Sequence, residues 1–465
     1  MRDYFDKAGL LNQLDSVVVT GGVNSRSVSA TASLDVNMMF MPLLGIDSMS
    51  APASGTAIEN VSDIEIILVL DVSGSMGANS KLVNLQDAAR EFVTTVLTPD
   101  IEERISIAIV PFNGQVNLGS ILRARYNISD LHGVANANCV DLPAAAYATS
   151  DLSTTLSMPQ TAHVDSFSST NITNNMTSSG TLPSANTPAP NNRWCPPSSG
   201  NIVRLPTRSI TTLHNHINGL HAVGATSINA GMRWGMELLD PGSRPMFNTL
   251  ISGGHIPAIF TGRPYDLGRE NTQKLVVLMT DGEHFAEERV NAGFRSGLAP
   301  IYLSSGDGHY SFHYPPRTGT TDYWVPHRLE WRSTPWNSGG GVSQQTWPQV
   351  WANVRMKWVA WQLYARAIGT TTDTRNAAYT NQMDLFRTLT PVENMNSQLQ
   401  GLCGMARTNG IVVYGIAFEA PAGGQAQIYG CSSSPSHYYD AIGRQEISDA
   451  FQSIALQIGA LRLIQ

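Results

Sequence analysis

Charge is scarce in this 465-residue chain, where Asp, Glu, Lys and Arg together make up 14%. What charge there is leans acidic, with a formal net charge of −7. No basic stripe is available to release phosphate counterions, which excludes nucleic acid as the main partner. Cysteine is equally sparse: Cys139, Cys195, Cys403 and Cys431 are the whole complement. None forms a Cys-x-x-Cys, so a zinc cluster ranks below disulfide bonding in an oxidising compartment, with free structural thiols as the remaining reading. Long apolar runs are missing too. No stretch approaches the ~20 residues of a membrane span. Met1 to Val17 carries Arg2, Asp3, Asp6, Lys7 and Asp15 and does not read as a signal peptide. An export or anchoring segment would have to lie upstream, and membrane contact is expected only through such an anchor, absent from this chain. The hydrophobic content of 42% suffices for a sizeable core under a surface rich in uncharged polar residues.

The most informative stretch is Ile64 to Leu70, an apolar run with little alternation, which reads as a central parallel strand covered on both faces. Asp71, Ser73 and Ser75 follow it at once. Lys81 to Leu97 then repeats apolar residues at Leu82, Leu85, Ala88, Ala89, Phe92, Val93 and Val96, one face of a helix. Two distant pieces carry similar chemistry. Thr226 precedes a helix expected over Ile228 to Leu239, and Asp281-Gly282 ends a second buried-strand run from Lys274 to Thr280. Alone, each piece has a plain explanation: Asp71 and Ser73 capping a helix, Asp281-Gly282 making a turn. Together they supply hydroxyls and few carboxylates, a donor set suited to a hard cation such as Mg²⁺, with Ca²⁺ or Mn²⁺ as alternatives.

In this order, Asp71, Ser73, Ser75, Thr226 and Asp281 resemble the metal-ion-dependent adhesion site of von Willebrand factor A domains. The resemblance implies hydroxyl ligation by Ser73, Ser75 and Thr226, with Asp71 and Asp281 ligating directly or through water. It also implies a protein partner that completes the coordination with an Asp or Glu carboxylate, and movement of the final helix, expected over Glu446 to Leu463, on binding. A narrower likeness is carried by Ser27 to Ser33, Phe40 to Ile46, Asp71 to Met76, Leu402 to Ile411, Cys431 and Tyr438 to Asp440. These are similar to the TadG group of tight-adherence (Flp) pilus assembly proteins, which implies an extracytoplasmic setting and pilus components as partners.

The expected fold is α/β: a doubly wound, mostly parallel sheet of von Willebrand A or Rossmann-like type, with an N-terminal β-rich, pilin-like segment over residues 1–60. The main domain, 61–465, is interrupted by insertions at about 114–206 and 283–400. The first insertion is rich in Ser, Thr, Asn, Pro and Ala from about Asn136 to Asn201, a composition that buries little core; a Cys139 to Cys195 bond would staple it. Cys403 and Cys431 flank a strand expected over Ile411 to Phe418. Asn127, Asn171 and Asn175 fit the glycosylation triplet, which arises by chance in such a stretch. The second insertion holds most of the tryptophans. Thr346 to Ile368 reads as one helix whose Trp347, Trp351 and Trp358 line a stripe; internal packing is the plainer expectation, a partner surface the sharper one. Ser304 to Gly308 reads as a turn, and His214 and His216 as solvated helix residues.

A non-enzymatic, metal-dependent protein-binding module in pilus or adhesin assembly is the function expected. A metal-dependent hydrolase is the alternative, with Glu283 or His284 as its general base. A scaffold acting through the tryptophan-rich insertion is the third reading.

Overall fold

The computed structural model describes residues 10–21, 25–37, 48–60, 63–166 and 193–460. The likeness-bearing segment Phe40 to Ile46, the triplets at Asn171 and Asn175, and Leu461 to Leu463 lie outside them.

The chain is a mixed α/β protein in which most sheets are antiparallel. Its central sheet has six strands. In chain order these are β1 (Asp63–Asp71), β2 (Ile105–Phe112), β3 (Arg204–Thr207), β4 (Thr272–Thr280), β5 (Val412–Phe418) and β6 (Tyr438–Ala441). Across the sheet they run β6-β5-β4-β1-β2-β3. All neighbours pair in parallel except β2 and β3. Among the described strands, parallel pairing occurs in this sheet and in a two-residue pair, Ile128–Ser129 with Met158–Pro159.

Every residue of β1 is buried, as a strand covered on both faces requires. Ile67 and Val69 point into one core with Phe112, Trp234 and Phe247; Ile66, Leu68 and Leu70 point into the opposite one with Phe92 and Phe451. The second core is closed by α1 (Lys81–Leu97), α2 (Ile210–Asn218) and α6 (Gly443–Ala460). The first is closed by α3 (Ile228–Glu237), α4 (Val392–Thr408) and α5 (Ala422–Cys431). Helix α3 lies very close to the sheet because Gly231 and Gly235 carry no side chain: a Cβ at Gly231 would sit 2.6 Å from the Phe112 ring, and one at Gly235 2.7 Å from Val69. That approach brings the loop before α3 to the carboxyl edge of the sheet.

The N-terminal segment is a three-stranded antiparallel sheet of Leu14–Gly21, Ser25–Asn37 and Ser48–Asn60. Departures from expectation concern the insertions. The first adds Val140, Leu142, Ala146, Tyr147, Leu152 and Met158 to a main core, so its few apolar residues are not idle. The second is gathered by an antiparallel pair, Glu287–Val290 with Arg387–Thr390, around its own five-stranded antiparallel sheet. The expected single helix over Thr346 to Ile368 is broken. Trp347–Asn353 ends at Val354, whose backbone is extended, and Arg355 reaches Asp165 at 3.2 Å before a further helical stretch begins at Met356. Trp347, Trp351 and Trp358 are buried in the insertion's own core, stacked and edge-on against one another, Phe386 and Tyr310. The partner-surface expectation for these three is therefore corrected: they offer no face to a partner. The four cysteines form the bonds Cys139–Cys195 and Cys403–Cys431.

Candidate functional site

The carboxyl edge of the central sheet gathers the residues singled out by sequence. Asp71 ends β1 and is fully buried; its Oδ1 accepts the Ser73 N–H at 2.7 Å and its Oδ2 accepts the Thr280 hydroxyl. Ser73 and Ser75 hydroxyls lie 3.0 Å apart, and the Ser75 hydroxyl donates to Asp281 Oδ1 at 2.7 Å. Ser73 does not cap the helical turn that follows it with its side chain. The Ser73 loop is fixed from outside by Gly74 N–H donating to the Gly224 carbonyl at 2.9 Å and Val223 N–H to the Val72 carbonyl at 2.8 Å. Thr226 follows directly. Its hydroxyl and that of Ser75 converge over Gly282, 3.7 and 4.0 Å from where a Cβ there would stand. The Phe285 N–H donates to the Thr226 carbonyl at 2.9 Å, tying that loop to the end of β4.

Three contributors were not singled out from sequence. Lys81, the first residue of α1, donates to Asp281 Oδ2 at 3.0 Å and stands 3.7 Å from Glu419 Oε2. Glu419, one residue beyond β5, accepts the Gly443 N–H at the start of α6. Thr280 holds Asp71 and also accepts the Gly282 N–H at 3.1 Å. A lysine opening a helix carries no signal of an acid partner two hundred positions away.

The electrostatics leave acceptors in excess. Burial, and then the neighbouring Asp281 carboxylate, push the Asp71 carboxyl up to about 7. Two carboxylates that repel each other beside aligned hydroxyls form a donor set that a cation would relieve. The observed oxygen spacings also suit one: neighbouring ligands of an octahedral Mg²⁺ at 2.0–2.1 Å lie about 2.9 Å apart, against 3.0 Å for Ser73 to Ser75 and 2.7 Å for Ser75 to Asp281.

The residues named for a hydrolase stand in different surroundings. His284 is buried; its Nε2 accepts the Asn229 N–H at 3.0 Å and its Nδ1 faces Asn396 Oδ1 at 2.7 Å, so both ring nitrogens are engaged. Burial pushes its imidazole down to about 4. Glu283 is exposed. His214 and His216 are half-buried rather than solvated, and His214 Nε2 lies 3.0 Å from the Arg90 carbonyl.

No family model matches this chain. No curated protein matches it either. Among solved structures it is similar to pilus adhesins and tip proteins. The pilus adhesin SpaC from Lactobacillus rhamnosus GG aligns at 12% identity and a TM-score of 0.33, over 95% of this chain and 34% of that one. The vWF domain of the type V pili tip protein Mfa5 from Porphyromonas gingivalis aligns at 11% identity and 0.35, over 86% and 96%. The pilus adhesin RrgA from Streptococcus pneumoniae aligns at 12% and 0.35, over 96% and 49%. This chain spans about a third of the length of SpaC. Scores this low carry no argument about what the chain does. Among the described residues no helix is long and apolar enough to cross a membrane.

Proposed function

We propose that this chain is a von Willebrand A-type binding module, not an enzyme, whose carboxyl-edge site takes a divalent cation, Mg²⁺ first and Ca²⁺ or Mn²⁺ otherwise. The observation that carries this reading is the line of oxygens from Ser73 through Ser75 to Asp281, beside an Asp71 that Asp281 repels. Asp71, Ser73, Ser75, Thr226 and Asp281 would hold the ion. With so few formal charges among the ligands, such an ion stays electrophilic and draws a carboxylate from a second protein. The pilus or adhesin setting rests on the likeness to the TadG group. An extracytoplasmic location is in keeping with the bonds Cys139–Cys195 and Cys403–Cys431.

Calorimetric titration of MgCl₂ into the EDTA-treated chain tests the reading. The native chain is expected to take up one equivalent and Asp71→Ala none, with circular dichroism of the two alike. Equal uptake by both would end the metal reading; uptake without any EDTA-reversible retention of cell-surface proteins would end the carboxylate-partner reading.

A further inference from the structure

A second cluster lies far from this edge in sequence, at one end of the insertion's five-stranded sheet, where three connections meet. Asp307 and His309 belong to the connection between the strands Leu298–Ser304 and Tyr310–His313. His327 follows the strand Tyr323–Val325, and Trp336 follows the strand Glu330–Arg332. One ring nitrogen of each histidine and one carboxylate oxygen of Asp307 lie within 4.8 Å of one another. The two imidazoles stack with centroids 3.8 Å apart.

His309 is 6% exposed. His309 Nε2 and both ring nitrogens of His327 are enclosed and lack a hydrogen-bond partner. His309 Nδ1 stands 2.9 Å from Asp307 Oδ2. Leaving buried donors and acceptors unmatched is costly, so these unsatisfied imidazole nitrogens call for a ligand. The surroundings hold the potential ligands in place. Trp336 Nε1 donates to Asp307 Oδ2 at 2.8 Å and the His309 N–H to Oδ1 at 3.2 Å. Trp336 closes over His327 edge-on at 4.7 Å.

We propose that His309, His327 and Asp307 form a Zn²⁺ site, independent of the cation site at the sheet edge. Two imidazoles and one carboxylate match the borderline character of Zn²⁺ better than that of Mg²⁺ or Ca²⁺, which favour all-oxygen shells. The donation from Trp336 to Asp307 is the outer-shell support such ligands ordinarily have. Three protein ligands leave a fourth position for water or a donor from another molecule. The ion would pin the 305–309 connection to the one containing His327.

The test uses the full chain after EDTA treatment, titrated with ZnCl₂ by calorimetry and with CoCl₂ by visible absorption. One equivalent of Zn²⁺ is expected, retained by Asp71→Ala and weakened at least tenfold in His327→Gln, a change at a half-buried position. Co²⁺ in the native chain should give the intense bands of a four- or five-coordinate site with nitrogen ligands, a readout that needs no variant to fold. Zn²⁺ uptake unchanged in His327→Gln, or a cobalt spectrum of weak octahedral oxygen type, would overturn the assignment. Loss of Mg²⁺ uptake in Asp71→Ala with Zn²⁺ uptake intact separates the two sites.

Discussion

The two ends of the central sheet match their acids with cations to different degrees. At the amino end, Asp63 is faced by Arg104 and Arg263 at 3.6 Å and by Arg269 at 3.4 Å, and Glu65 is bonded to Lys274. Glu65 also accepts the Tyr265 N–H at 3.0 Å, and Lys274 donates to the Leu239 carbonyl at 2.8 Å. Each acid there is matched by cations of the chain itself. At the carboxyl end Asp281 and Glu419 share the Lys81 ammonium, while Asp71, beside the Asp281 carboxylate, is held by the Ser73 N–H and the Thr280 hydroxyl. One end is a closed structural joint. The other retains unspent acceptor capacity, as expected where a parallel sheet binds its ligands.

The comparison breaks most visibly at the closed end. Lys274→Met is expected to leave Glu65 buried without its cation and to lower unfolding free energy by about 3–5 kcal/mol, read by urea denaturation. A loss under ~1 kcal/mol would mean that the amino end is no tighter than a surface pair. At the open end, Mg²⁺ at one hundred times its Kd should raise stability by about 2.7 kcal/mol, seen as a Tm increase that EDTA reverses and Asp71→Ala abolishes. Lys81→Met sharpens the contrast because its two effects carry opposite signs. Without cation it should destabilise through the unpaired Asp281, yet it should tighten Mg²⁺ binding about tenfold, or ~1.4 kcal/mol, by removing the competing ammonium; weaker binding in a folded variant would show that Lys81 supports the site instead. The smallest change in stability is expected for Gly282→Val. Its Cβ would meet only ordinary contacts at 3.7 to 4.0 Å, so stability should move by under ~1 kcal/mol, while the branched side chain intrudes between the Thr226 and Ser75 hydroxyls and abolishes Mg²⁺ uptake in calorimetry.

Much of the open end was legible in sequence because the elements that build it are local. The unbroken apolar run Ile64 to Leu70 announces a strand covered on both faces, and Asp71, Ser73 and Ser75 sit in the loop that must follow it. Thr226 and Asp281 were legible by the same logic, one before a helix and one after a strand. Lys81, Thr280 and Glu419 were not, because their roles arise from pairings made only when the chain closes. The tryptophan helix misled for a different reason. Its apolar period continues smoothly across Val354 with no Gly or Pro at the break. The chain turns there because Arg355 and the Met356 N–H are drawn to Asp165 in the other insertion, a tertiary pull that periodicity does not record. The His309 and His327 pair was illegible in the same way, since two histidines eighteen positions apart on separate connections match no ligand spacing.

Lys81 has a consequence beyond the site it touches. It stands between Asp281 and Glu419, and the other oxygen of Glu419 accepts the N–H from which α6 begins. Lys81 and Glu419 thus join the mouth of the sheet to α6 through two contacts, much as one bolt can be shared between two doors.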